Sequence, residues 1–321
     1  MSSQAAESAG RQYTTMERGT HSLHESDSAE DFCQRFQMAT GRSIRDVVDE
    51  VVGATEPGAL FVTGSLTLGM ATSGSDVDLI ALVDSRSALV NSETHLANNT
   101  QSLEYRNPND SLLAGIFLNM NGGGILVDLQ VALTPAIHAV YKRLRTRGPE
   151  LSETEVRTLG RINTGWLLWQ SEGYLQAHPG LLRDPALDVY CCTRRFVSAL
   201  HEIAKARRAV GCQDIALALQ LGRLAVELVY LAYFATEGMT YLGSKWAAQL
   251  GHAHGAAERL RRHPQLQQGI PLLFPDYPSS SAETERYLDN VAVFLTAMRE
   301  VIEERPLFRI AFSACPQVHR L

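Results

Sequence analysis

Residues 60 to 79, LFVTGSLTLGMATSGSDVDL, constrain this chain more than any other stretch. An apolar run ends at Gly64-Ser65, ten residues follow that are mostly small, and Asp76-Val77-Asp78-Leu79 then opens a second apolar run, IALV. Side chains on a strand alternate faces. Asp76 and Asp78 therefore point the same way, about 6.5 to 7 Å apart along the chain, while Val77 and Leu79 point into a core. Gly64 lets the backbone turn and approach a ligand with no Cβ in the way, and Ser65 adds a hydroxyl donor. A third acid, Asp128, stands fifty residues after Asp78 in the apolar stretch GGGILVDLQVAL, where an unpaired carboxylate is costly to bury. The pattern suits a phosphate seat beside a divalent-cation seat.

Hydrophobic-Gly-Ser, ten residues, Asp-hydrophobic-Asp-hydrophobic and a later strand with a third acid resemble the signature of the polymerase-beta-type nucleotidyltransferase superfamily. That superfamily includes the aminoglycoside nucleotidyltransferases and the minimal nucleotidyltransferases. The likeness covers about 75 residues. It implies that Asp76, Asp78 and Asp128 are the catalytic, metal-holding acids. By the same likeness, Asp76 and Asp78 bridge two magnesium ions and Asp128 holds the ion that activates the acceptor hydroxyl. Gly64, Ser65, Ser75 and Lys245 are the candidate nucleotide-binding residues. Lys245, beside Trp246, resembles a Lys-Trp pair in the helical domains of some small-molecule members. One departure is Leu68-Gly69, where many small members carry Arg before the glycine.

Elementary electrostatics agrees with the metal. A triphosphate facing carboxylates meets like-charge pairs that each cost about 4 kcal/mol at 4 Å and an effective dielectric near 20. Magnesium, a hard cation that bridges carboxylates to phosphates, removes that cost. The expected cofactors are thus Mg2+ and ATP or another nucleoside triphosphate as co-substrate.

Composition narrows the partner. With 29 basic and 35 acidic residues the formal charge is -6, which disfavours a dedicated nucleic-acid binder, since phosphate neutralisation supplies most of that affinity. The expected acceptor is a hydroxyl on a small molecule, in antibiotic modification or natural-product tailoring. AMP transfer to a protein or tRNA in a regulatory or toxin-antitoxin pair, and a non-catalytic nucleotide-binding module, are the alternatives. Arg195 and His201 also stand at the R-x5-H spacing of HEPN ribonuclease toxins. A homodimer fits a helical half that completes a shared cleft. No membrane span is expected, because the most apolar stretch, 224 to 235, is short and contains Glu227. The N-terminus lacks a basic segment followed by an apolar block, and the expected location is cytoplasmic. Five cysteines without CxxC spacing point to reduced, structural thiols.

Periodicity predicts an α+β chain: a flexible tail over 1–28, a nucleotidyltransferase α/β domain with a mixed sheet over 29–148, and a helical bundle domain over 149–321. Strands are predicted at 59–63, 76–84 and 124–133, with a weaker one near 112–119, and 85–111 reads as a short helix and loop. Helices are predicted at 29–52, 135–146, 152–177, 185–210, 213–236, 243–262 and 282–304. Ser152 and Glu155 form a capping-box pattern. Trp166 and Trp169 fall three apart on the second of the later helices and read as core. The basic groups at 142–147 and 194–208 read as solvated helix faces, and His252-x-His254 as a weak metal signal.

Overall fold

The computed structural model describes residues 33–34, 36–38, 41–67, 76–88, 103–106, 114–119, 126–146, 150–181, 184–240, 256–278 and 280–319. Of these, 103–106, 114–119, 126, 256–258 and 319 are described by backbone alone. Ser75, Lys245, Trp246, Leu68-Gly69 and the two histidines at 252 and 254 lie outside the described residues.

Helix α1 (Ile44–Thr55) starts at Ser43, whose hydroxyl accepts from the Arg45 amide. The helical residues 33–34 and 36–38 are separated from it by a bend at Gly41, so the single helix predicted from Ala29 is broken there. Strands β1 (Ala59–Thr63), β2 (Val77–Val83), β3 (Leu103–Arg106), β4 (Ala114–Asn119) and β5 (Leu126–Leu133) follow. Helices α2 (Thr134–Arg145) and α3 (Glu153–Thr164) precede strand β6 (Trp166–Gln170). The rest is helical: α4 (Tyr174–Ala177), α5 (Pro185–Gly211), α6 (Ile215–Thr236), α7 (Ala256–Arg262), α8 (Gln265–Leu273), α9 (Ser281–Glu303) and α10 (Pro306–Ser313). The fold is α+β, a mixed sheet in the N-terminal half followed by a helical region.

The sheet has the order β3-β4-β5-β2-β1-β6. The one parallel pair among the described residues, β2 with β5, places Asp78 directly opposite Asp128. Every residue of β1 and β2 is buried, because both faces of the sheet are covered and the strands read as unbroken apolar runs. On one face Val47, Val48 and Val51 of α1 pack on Leu60, Val62, Leu79, Ala81, Val127 and Leu129. On the other, Phe61, Ile80, Leu82 and Ala132 join Ile137 and Tyr141 of α2, Leu159 of α3 and the bundle in one core. Asp76, Asp78 and Asp128 fall on this second, bundle-facing side by strand alternation.

The main correction concerns 152–177. The capping box is present, with Ser152 accepting from the Glu155 amide and Glu155 from the Ser152 amide, but the helix stops at Gly165. The next five residues pair with β1 as the sixth strand, beyond the expected division at 148. A Cβ at Gly165 would stand 3.1 Å from the Val62 carbonyl and 2.9 Å from the Arg161 carbonyl. Only a residue without a side chain lets the α3-β6 corner sit this close to the end of β1. Trp166 and Trp169 are accordingly strand residues, the first buried and the second packed against the same core. A short strand at β3 replaces part of the predicted loop in 85–111, and a helix at α8 that contains Pro271 lies where no element is predicted.

Most of the two basic groups is solvated, with Lys142, Arg145, Arg194, Lys205, Arg207 and Arg208 exposed, but several of these side chains also make ties to neighbouring elements. Arg143 pairs with Glu155, and Arg145 Nε donates to Asp184 Oδ2 at 2.7 Å, tying α2 to the starts of α3 and α5. Arg195 is half-buried and donates to the Leu231 and Thr240 carbonyls, while His201 faces solvent on another side of α5. Helix α6 is long and apolar enough to cross a membrane by length and composition, at mean hydropathy 1.6. Here it packs as a core helix, with Ala225, Val226, Val229 and Tyr230 fully enclosed. All five cysteines are free, and burial pushes the thiols of Cys191 and Cys192 up, the former to about 12.

Candidate functional site

At the end of β1 the chain turns through Gly64, whose φ of 79° lies in the left-handed region. A Cβ there would fall 1.9 Å from Asp78 Oδ2, so the glycine is where the Asp78 carboxylate needs its space. The turn is tied by Thr67 Oγ1, which donates to the Gly64 carbonyl at 3.0 Å. Ser65 is buried beneath it. Thr63 pairs with Asp78 across β1 and β2, so the turn and the acid share one corner of the sheet.

Asp78 and Asp128 stand side by side on parallel strands, each 9 % exposed. Asp76, just before β2, is exposed at the mouth, and its charge is felt at Asp128. The structure thus brings two of the three acids together and leaves the third on the rim. Among the described residues, no group of three or more Asp, Glu, His or Cys side chains forms a closed metal cage, so a cation here would rest on one or two carboxylates and on ligand oxygens.

The residue that sequence reasoning missed is Arg161. It comes from the last turn of α3 and donates from Nη2 to Asp78 Oδ1 at 2.9 Å, with Nη1 3.8 Å from Asp128 Oδ2. Its side chain is 13 % exposed. A cation in the last turn of a helix is ordinary, so nothing local marked it. Its meaning depends on β6 and Gly165, which swing α3 over the acids.

No family model matches the chain, and no curated protein matches it. Among solved structures, a nucleotidyltransferase-like protein from Exiguobacterium sibiricum is similar at 13% identity, over 81% of this chain and 79% of that one, with a TM-score of 0.40. At that distance nothing about the site follows from it.

The site's electrostatics follow from its own groups. Burial raises the Asp128 carboxyl from an ordinary 3.8 to about 6; Arg161 opposes the rise, and Asp78 and Asp76 add to it. Asp128 Oδ1 is buried with no hydrogen-bond partner. A carboxylate pair with one unsatisfied oxygen, a third carboxylate at the mouth and a glycine turn opposite is a donor set that fits a hard, oxygen-seeking cation.

The raised value gives a test on the metal-free protein. A carboxyl whose folded pKa exceeds its unfolded one contributes stability that is full below the unfolded pKa and is lost as pH rises through the folded one. Between pH 4 and pH 7 Asp128 should therefore cost the fold up to about 3 kcal/mol. Thermal melts in chelator should find Asp128→Asn more stable than wild type at pH 7, with the gap closing towards pH 4. A gap independent of pH would remove the assigned shift.

Proposed function

We propose that this protein is a magnesium-dependent nucleotidyltransferase that moves a nucleoside monophosphate, AMP from ATP, to a hydroxyl of a small molecule and releases pyrophosphate. The observation that carries this reading is the pairing of Asp78 with Asp128 on adjacent parallel strands, against the Gly64 turn, with Asp128 Oδ1 lacking a partner. Asp78 and Asp128 would hold the metal, with Asp76 completing the set from the rim. Magnesium, when bound, supplies the positive charge that lets a triphosphate approach these acids and that stabilises the attacking and leaving oxygens. The backbone amides and hydroxyl of the Gly64-Ser65 turn orient the phosphates, and the strands fix the carboxylates so that little reorganisation is needed at reaction. The bundle-facing position of the three acids gives the acceptor a wall built from the helical half. Ser75 and Lys245 remain part of the proposed nucleotide seat on the sequence resemblance. A cytoplasmic location, without a membrane partner, and a homodimeric state belong to the same reading.

The direct test is pyrophosphate release from the full-length protein with ATP and Mg2+ across a library of small hydroxylated acceptors, cationic aminoglycosides included. Release that depends on one acceptor class supports the reading. Label moving from α-labelled ATP into protein or tRNA would shift it to macromolecule modification, and calorimetric ATP binding without turnover on any acceptor would leave a nucleotide-binding module.

A further inference from the structure

The guanidinium of Arg161 occupies the space between two acids, yet it is poorly satisfied there. Of its donors, Nη2 reaches Asp78, whereas Nε and Nη1 are buried with no hydrogen-bond partner. Asp128 Oδ1 beside it is in the same condition. So is the hydroxyl of Thr158, fully buried one turn earlier on α3. Each such group bears the desolvation cost of an unmade hydrogen bond. A purely structural tie between α3 and the sheet has no reason to leave both its donors and its acceptor short.

The missing partners have definite chemistry. Asp128 Oδ1 needs a cation or a donor. Nε and Nη1 lie on different edges of the guanidinium, each next to Nη2, so once a cation takes Asp78 the released Nη2 can join either of them in the planar fork that matches two oxygens of one phosphate. A divalent cation together with a phosphorylated ligand would satisfy all of them at once, the cation taking the carboxylates and the phosphate taking the arginine. We propose that Arg161 is a phosphate-binding residue of this site and, until a divalent cation arrives, the counter-ion of Asp78 and Asp128. The proposal rests on the nucleotidyltransferase reading above. It makes the α3 arginine a competitor of the metal on the acids and an ally of the metal on the nucleotide.

The two roles have opposite signs, which a structural tie would not produce. On the full-length protein, Mn2+ binding is measured first without nucleotide, by calorimetry or from the signal of free Mn2+. Binding of the non-reacting α,β-methylene analogue of ATP is then measured at saturating Mn2+. Arg161→Gln should bind Mn2+ about 10-fold tighter than wild type and the analogue about 10- to 100-fold weaker. Arg161→Lys keeps the charge without the fork: Mn2+ affinity should stay near wild type and the analogue should bind about 10-fold weaker.

Unchanged or weaker Mn2+ binding in Arg161→Gln, in a protein whose Mn2+ site is lost in Asp78→Asn, overturns the counter-ion role and leaves the transferase reading standing. Wild-type analogue affinity in Arg161→Lys overturns the phosphate role, and does so even if Arg161→Gln does not fold. Absence of Mn2+ binding in wild type and Arg161→Gln alike overturns both the proposal and the reading beneath it.

Discussion

Asp78→Asn should lower nucleotidyl transfer by about 1,000-fold or more while leaving the protein folded. Asparagine keeps the size of the side chain and the position on β2, so the packing of Val77 and Leu79 on the opposite face is untouched. What changes is charge. Asp78 is the acid nearest the Arg161 guanidinium, and its carboxylate lies against the Gly64 turn where the phosphates are proposed to sit. A neutral amide there holds a hard cation far more weakly than a carboxylate and does not balance the arginine. The loss should fall on turnover, read as pyrophosphate release, with far-UV circular dichroism and the melting temperature as controls. Activity within a few-fold of wild type, in a protein that melts normally, would remove Asp78 from the chemistry.

Gly64→Ala should have the second largest effect, and for a different reason. The backbone at Gly64 is in a conformation that costs an L-residue about 1 to 2 kcal/mol. The added methyl would also collide with the Asp78 carboxylate, one atom of which lies 1.9 Å from the ideal Cβ position. Either the turn opens or Asp78 swings away from Arg161, and each ends the arrangement that both acids need. We expect a stability loss of about 3 kcal/mol, read as a shift in the denaturant midpoint at constant slope, together with a loss of transfer of at least about 100-fold. A variant with wild-type stability would show that the turn has more freedom than its close approach to Asp78 implies.

The parts of the chain that could be read from sequence were those in which one local signal sufficed. Strands β1, β2 and β5 announce themselves as short apolar runs, and Gly64, Asp78 and Asp128 stand out because small or acidic residues interrupt them. Ser152 and Glu155 fixed the start of α3 within a residue. The end of α3 was misjudged because WLLWQ has no alternation: buried on both sides, it carries neither a period of two nor a clear period of 3.6. Strand β3 is only four residues long and was lost in a polar stretch. Arg161 was invisible for the same physical reason that makes it useful. Its partner lies 83 residues away, and the contact exists only once β6 has docked beside β1. The demand could still have been noticed from the acids themselves, since two carboxylates buried together require a cation from somewhere. What the sequence did not disclose was which of 29 basic residues answers it.

Strand β6 has a bearing on how such a protein can change its acceptor. The chain leaves the sheet, builds α2 and α3, and then returns to lay a final strand along β1 before the bundle begins. A cut near residue 149 would strip that strand from the sheet and carry Arg161 away from both acids. The helical half is therefore no detachable cassette that recombination could trade for another. On the proposed function, new acceptor preferences would be reached one side chain at a time on the helical half, with the corner at Gly165 held constant throughout.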